Sequence, residues 1–234
     1  MTGVQTCALP ISNRNGFFYL LDRITGEYIR ATKLVDRLDW ASGIDAKGRP
    51  MELPNKGPTA NGNLVCPGVR GATNWMSPSF NPATGLLYVV TLEQCDVFTS
   101  SSKEPEPKKN FAGGGAGAKP KDPGQFFLRA FDPKTGKKVW EYPMTGPAES
   151  WAGTVSTAGG VVFFGDDDGQ LVGVDARTGK HVWHFNIGEG LLASPISYAV
   201  NGKQFVAIAS STSIVSFGLH EPVQAVPMPK IDVK

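Results

Sequence analysis

The chain has 234 residues, 41% hydrophobic and 19% charged, which fits a globular fold and excludes a highly charged disordered chain. Lys+Arg 23 against Asp+Glu 21 leaves a formal charge of +2, too small for a nucleic-acid footprint, and no apolar run is long enough to span a membrane. Gly 28 and Pro 18 together make about a fifth of the chain, a strand-and-turn composition.

Residues 1–12, MTGVQTCALPIS, lack the basic region and the long apolar region of a signal peptide and do not share the patterning of the rest of the chain. They resemble a translated sequencing adapter and are expected to be an artefactual leader outside the fold. Short β-branched and aromatic runs bounded by Gly, Pro, Asn or Asp then predict strands at 16–21 and 27–30. A polar excursion fills 31–72. Strands come next at 76–80 and 86–91, interrupted by a Gly/Pro/Lys-rich insertion at 96–124 whose composition predicts a flexible surface loop. The pattern resumes at 125–131 and 137–142, continues at 151–156, 160–165, 170–174 and 180–185, and closes with 194–199, 204–209 and 213–217. Residues 220–234 are left as a tail. No window sustains a helical period, so the expected class is all-β.

One turn recurs: LDRITGEYI from Leu21, FNPATGLLY from Phe80, FDPKTGKKVW from Phe131 and VDARTGKHVW from Val174. Its core is Asp/Asn-x-x-Thr-Gly, in which the Asx side chain can cap the turn and Gly takes a positive φ. Gly26, Gly85, Gly136 and Gly179 lie 59, 51 and 43 residues apart, the spacing of propeller blades of four antiparallel strands. Residues 76–142 and 151–185 each fill a blade, 194–217 supplies three strands, and 16–30 reads as the last two strands of another. The chain is therefore expected to begin within a blade.

With Cys7 set aside in the leader, Cys66 and Cys95 remain as a candidate disulfide closing a loop of about 30 residues. Such a bridge implies an oxidising compartment, hence the periplasm; the alternative is two buried thiols. Asp166, Asp167 and Asp168, followed by Gly169, fit a tight turn better than a Ca²⁺ site. His181 and His184, three apart on a strand, are expected to face opposite sides and to make a poor metal pair.

The paired Asp-x-x-Thr-Gly-Lys-x-x-Trp turns, with Trp140 and Trp183, resemble the tryptophan-docking motif of the quinoprotein alcohol dehydrogenases. The resemblance extends through NRNGFFYLLDRITGE, CPGVRGATNWMSPSFNPATGLLYV, SWAGTVSTAGGVVFFGDDDG and SPISYAVNGKQFVAIA, that is, from Asn13 to Leu219. It implies a β-propeller of which residues 13–219 supply about three and a half of eight blades. It also implies pyrroloquinoline quinone (PQQ) and Ca²⁺ on the propeller axis, a small primary alcohol as hydride donor, and a cytochrome c-type electron acceptor. Arg14 matches the cation beside the quinone oxygens, Asn74 a residue contacting PQQ with Trp75 directly after it, and Trp151 a residue at the edge of the cofactor pocket.

Strand direction agrees. Arg14 lies in a turn between second and third strands, while Asn74 and Trp151 precede first strands, so all three fall on one face and the Thr-Gly turns mostly on the other. Taken alone, Arg14 could be a solvated turn residue, Asn74 a turn cap and Trp75 core. The family's catalytic base, its metal ligands, its vicinal cysteines and the Trp that sandwiches PQQ have no counterpart here, so neither catalytic nor metal-binding residues are expected in this chain. The rival class is a non-enzymatic propeller scaffold built from the same repeat.

Overall fold

The computed structural model describes residues 8–107, 111, 113–116, 123–147 and 149–219. The 220–234 tail and Cys7 lie outside them. The first sheet is β1 (Ala8–Ser12), β2 (Phe17–Asp22) and β3 (Tyr28–Lys33), antiparallel in that order. A hairpin comes next, β4 (Ala41–Ile44) with β5 (Pro50–Glu52), and then β6 (Asn63–Val65). The next blade opens with β7 (Ser79–Asn81) and β8 (Leu86–Glu93). It is interrupted by β9 (Asp96–Ser100) and β10 (Gly114–Ala116), and completed by β11 (Gln125–Asp132) and β12 (Lys137–Pro143) in the order β12-β11-β8-β7. A second four-stranded blade runs consecutively through β13 (Thr154–Ser156), β14 (Val161–Gly165), β15 (Gln170–Asp175) and β16 (His181–Asn186). The last sheet holds β17 (Ile196–Val200), β18 (Lys203–Ala209) and β19 (Ile214–Gly218). Among the described residues there is no helix, and none that could cross a membrane.

The blades stack face to face, and β8 shows why. Its run LLYVVTLE is buried at every position, as a strand with a neighbour on each face requires. Leu86, Tyr88, Val90 and Leu92 join Val162, Phe164, Val172 and Val174 of the following blade. Leu87 and Val89 join Phe18 and Leu20 of the preceding one. A third cluster joins Leu171 to Val206 and Ile208 of the last sheet.

The recurring turns are local chemistry. Asp22, Asn81, Asp132 and Asp175 each accept, through Oδ1, a backbone N–H two residues on, at 2.8–3.1 Å. Hydrogen bonds from the Thr178 side chain and the 177–178 backbone hold the Asp175 carboxyl below its ordinary range, against slight desolvation. Trp140 then docks between blades. A Cβ on Gly179, which has φ +71°, would stand 2.6 Å from the Trp140 ring, whose Nε1 donates to the Ala176 carbonyl at 3.2 Å. Trp183 likewise meets Phe217 of the last sheet, edge to face at 5.1 Å.

Three expectations need correction. Residues 8–12, assigned to an excluded leader, pair with β2 from Ala8↔Asp22 to Ser12↔Phe18 and occupy the place of a blade's second strand. An exposed edge offers unpaired N–H and C=O groups to any extended segment, whatever its composition. The insertion is not simply a loop. Its DVFTS segment forms β9, which pairs on one side with β10 and on the other with β6 of the polar excursion.

The third correction concerns alternation in the outermost strands. β3, β12 and β16 each carry a β-bulge three residues after the turn glycine, at Ile29, Val139 and Val182, where the bulged residue has no counterpart on the partner strand. Residues three apart across the bulge then share a face. Lys138 and Glu141 form an ion pair at 2.8 Å, and His181 Nε2 lies 3.1 Å from His184 Nδ1. The two histidines do not face opposite sides.

Candidate functional site

Arg14 sits in the β1–β2 turn and is exposed. Its place is set by the segment before β7: the Ala72 N–H donates to the Arg14 carbonyl at 3.2 Å, and Gly71, at φ +78°, lies against its side chain. A Cβ on Gly71 would meet Arg14 Cβ at 2.7 Å, so this contact requires glycine. Asn74, half-buried on the same segment, donates from Nδ2 to the Arg70 carbonyl at 3.2 Å. Trp75 is 65% exposed and stacks on Trp151 with ring centroids 4.3 Å apart and planes 19° from parallel. Arg14 thus packs on the 71–72 backbone and Trp75 on Trp151, and Asn74 lies on the 70–75 segment that joins these two contacts.

Topology puts all of them at one end of the blades. The insertion leaves at Glu93 and returns at Gln125, residues that pair with each other at the end of β8 and β11 remote from Gly85 and Gly136. The insertion thus emerges on the face that carries Arg14. Beside Arg14 is a cavity of about 360 Å³ whose walls include Trp40, Lys56, Val65 and Phe98. Trp40 donates from Nε1 to the Asn15 carbonyl at 2.8 Å, and Lys56 is held to Asp39 at 2.6 Å. Sequence reasoning missed these residues because they come from the excursion and the insertion. A larger cavity, about 580 Å³, lies against Trp183 and Phe217 and contains none of the four.

Residues 125–221 match the family described as outer membrane protein assembly factor BamB. The quinoprotein alcohol dehydrogenase PedH of Pseudomonas putida is 37% identical over 216 residues, covering 89% of this chain and 36% of that protein. The crystal structure of the quinohemoprotein alcohol dehydrogenase from Comamonas testosteroni superposes with a TM-score of 0.77 at 32% identity, covering 87% of this chain and 32% of that one. The chain belongs to the quinoprotein alcohol dehydrogenase family. A europium-containing methanol dehydrogenase gives a TM-score of 0.75 at 35% identity, over 86% of this chain and 36% of that one. The chain spans about a third of the length of the curated relatives it matches.

The residues present fit one side of the quinone cofactor such a dehydrogenase binds. Among the described residues Arg14 makes no ion pair, and the Trp75–Trp151 stack gives a flat aromatic surface on the same face. A planar anionic ring system is matched by a cation and an indole. The described residues contain no cluster of three or more His, Cys, Asp or Glu suited to a metal ion.

One buried carboxyl stands near this wall. The Asp166–Gly169 turn joins β14 to β15 at the same end; there Asp166 accepts from the Asp167 N–H at 2.6 Å and from Thr145 Oγ1 at 3.3 Å. Asp167 accepts from the Ser150 N–H, next to Trp151. Burial pushes the Asp166 carboxyl up to about 6, and its hydrogen bonds offset this only in part. Because the folded value lies above the unfolded one, the stability it lends is fully present below about pH 4 and is lost as pH rises through about 6. Asp166→Asn keeps the shape and removes the charge. It should raise stability at pH 7.5 by on the order of 1–3 kcal/mol and give no gain at pH 4, read from thermal melts at the two values. A variant destabilised equally at both would contradict this account.

Proposed function

We propose that the whole protein oxidises a small primary alcohol to its aldehyde in the periplasm, with PQQ as the bound oxidant, Ca²⁺ as its metal and a cytochrome c-type protein as electron acceptor. The observation that carries this reading is that an exposed Arg14 and the Trp75–Trp151 stack lie on one face of a chain with this family likeness. The disulfide between Cys66 and Cys95 supports an oxidising compartment. PQQ, when bound, supplies a two-electron acceptor with electrophilic carbonyl groups. The chain's own part is to hold and to polarise. Arg14 offers a fixed cation where negative charge builds on the ring oxygens, Asn74 an amide, and Trp75 with Trp151 a surface that keeps the ring flat and dry. The general base and the metal ligands come from other segments of the whole protein, so the 234 residues alone form one wall of the site and do not turn over alcohol.

The test is Arg14→Ala against Arg14→Lys in the complete enzyme, assayed by dye reduction with ethanol. Loss of one such electrostatic contact typically lowers turnover by about 10²–10³-fold, so the Ala variant should fall in that range and Lys should recover part of it. An Ala variant within twofold of the parent would overturn the assignment. A non-enzymatic scaffold is the second reading, favoured by the match of residues 125–221 to the BamB family. That stretch contains neither Arg14 nor Asn74 nor Trp75, and a scaffold has no use for them.

A further inference from the structure

The geometry points to a transition-metal site at His181 and His184, a pair the dehydrogenase reading does not use. Both side chains are exposed on β16, the outermost strand of its blade. On a regular strand they would project to opposite faces, but the bulge at Val182 turns them to the same side. His181 Nε2 and His184 Nδ1 stand 3.1 Å apart, with ring centroids 5.1 Å apart and planes 54° from parallel. The equivalent bulge at Val139 brings Lys138 and Glu141 together in the same way, so the juxtaposition is a property of the repeat.

The separation suits chelation. Imidazole nitrogens bind Zn²⁺ or Cu²⁺ at about 2.0–2.1 Å, which places two ligands on one ion about 2.9 Å apart in a square arrangement and about 3.4 Å apart in a tetrahedral one. The observed 3.1 Å lies between these limits. With His181 protonated at Nδ1 and His184 at Nε2, both facing lone pairs are available to one ion. Without metal, one ring must carry its proton between them to make a hydrogen bond. Two neutral nitrogens select borderline cations such as Cu²⁺, Zn²⁺ and Ni²⁺ over Ca²⁺ and Mg²⁺, which prefer oxygen. Water completes the coordination, so the site is open to exchange. It lies on an outer strand, apart from the face that carries Arg14.

Titrating the full 234-residue chain with Cu²⁺ by calorimetry, in a weakly coordinating buffer, should give one equivalent bound. His181→Ala and His184→Ala should each weaken that binding at least tenfold, while His220→Ala, the control at the third histidine, leaves it unchanged. Because both side chains are exposed, the variants should keep the parent's circular dichroism. Electron paramagnetic resonance of the Cu²⁺ complex should show coupling to two imidazole nitrogens in the parent and one in either variant, a readout independent of affinity. Equal Cu²⁺ affinity in the parent and both variants, or a loss that tracks His220 instead, would overturn the assignment. So would a parent spectrum with a single imidazole.

Discussion

Replacing Arg129 with alanine is expected to destabilise the fold by about 3–5 kcal/mol, the cost of leaving a buried charge without its partner. Arg129 lies on β11 with its side chain only 2% exposed, between the first two blades. Its Nη1 donates to Glu93 Oε1 and to the Leu34 carbonyl, each at 2.7 Å, and its Nε to Glu141 Oε2 at 3.1 Å. Glu93 also takes the backbone N–H groups of Asp36 and Arg37 at 2.7 and 2.9 Å. One ion pair thus ties the start of the polar excursion to the wall of the next blade. Without Arg129, Glu93 keeps two N–H donors but loses the cation that offsets its desolvation.

The outer members of the network contribute less. Lys138 meets Asp36 at 3.2 Å and Glu141 at 2.8 Å, and these pairs are open to solvent, where each is worth at most about 1 kcal/mol. Burial opposes ionisation of Glu141, yet Lys138 and Arg129 together hold its carboxyl below the usual range. A double-mutant cycle separates the terms. Arg129→Met and Glu93→Gln should each destabilise strongly, while the double variant recovers at least about 1 kcal/mol of their sum. Denaturant midpoints of the whole protein read the effect. An Arg129→Ala variant within about 1 kcal/mol of the parent would show that the pair is not a structural anchor.

The second large effect is expected at the disulfide. Cys66 and Cys95 are bonded across a sequence separation of 29 residues, and both are buried. The chain-entropy estimate for a loop of that length is about 3–4 kcal/mol, so the Cys66→Ala/Cys95→Ala variant should lose roughly that much. The bridge adjoins the β6–β9 ladder, whose last pair is Val65↔Asp96. Val69 N donates to Asp96 Oδ2 at 2.7 Å and Gly68 N to the Gln94 carbonyl at 2.8 Å, so the bond closes an already paired junction. The first consequence of its loss should be faster proteolysis in 101–107, before global unfolding. Dithiothreitol should lower the melting temperature of the parent and leave the double variant unmoved. Equal melting of the oxidised and reduced parent would remove the bridge from the stability account.

Much of this molecule was legible in the sequence because the signals are local. The Asx-x-x-Thr-Gly turns satisfy themselves within five residues, and their spacing counts the blades. Strands such as LLYVV announce double-sided burial by an unbroken apolar run. The motif blocks placed Arg14, Asn74 and Trp151 on one face, since strand direction alone decides which turns share an end.

What only the tertiary structure decided depends on partners remote in sequence or on a slip in register. Nothing near Arg129 in the chain marks Glu93, 36 residues away, as its counter-ion, because the pairing arises only when β8 and β11, held apart in sequence by the insertion, lie side by side in one blade. DVFTS looked like part of a Gly- and Lys-rich loop until β6 supplied an edge for it. Residues 8–12 were set aside on composition, yet backbone pairing with β2 needs extended N–H and C=O groups and no particular side chains. The His181–His184 contact turned on a single bulged residue, Val182, which shifts every side chain after it to the other face. Periodicity is read along one strand, whereas a bulge is set between two.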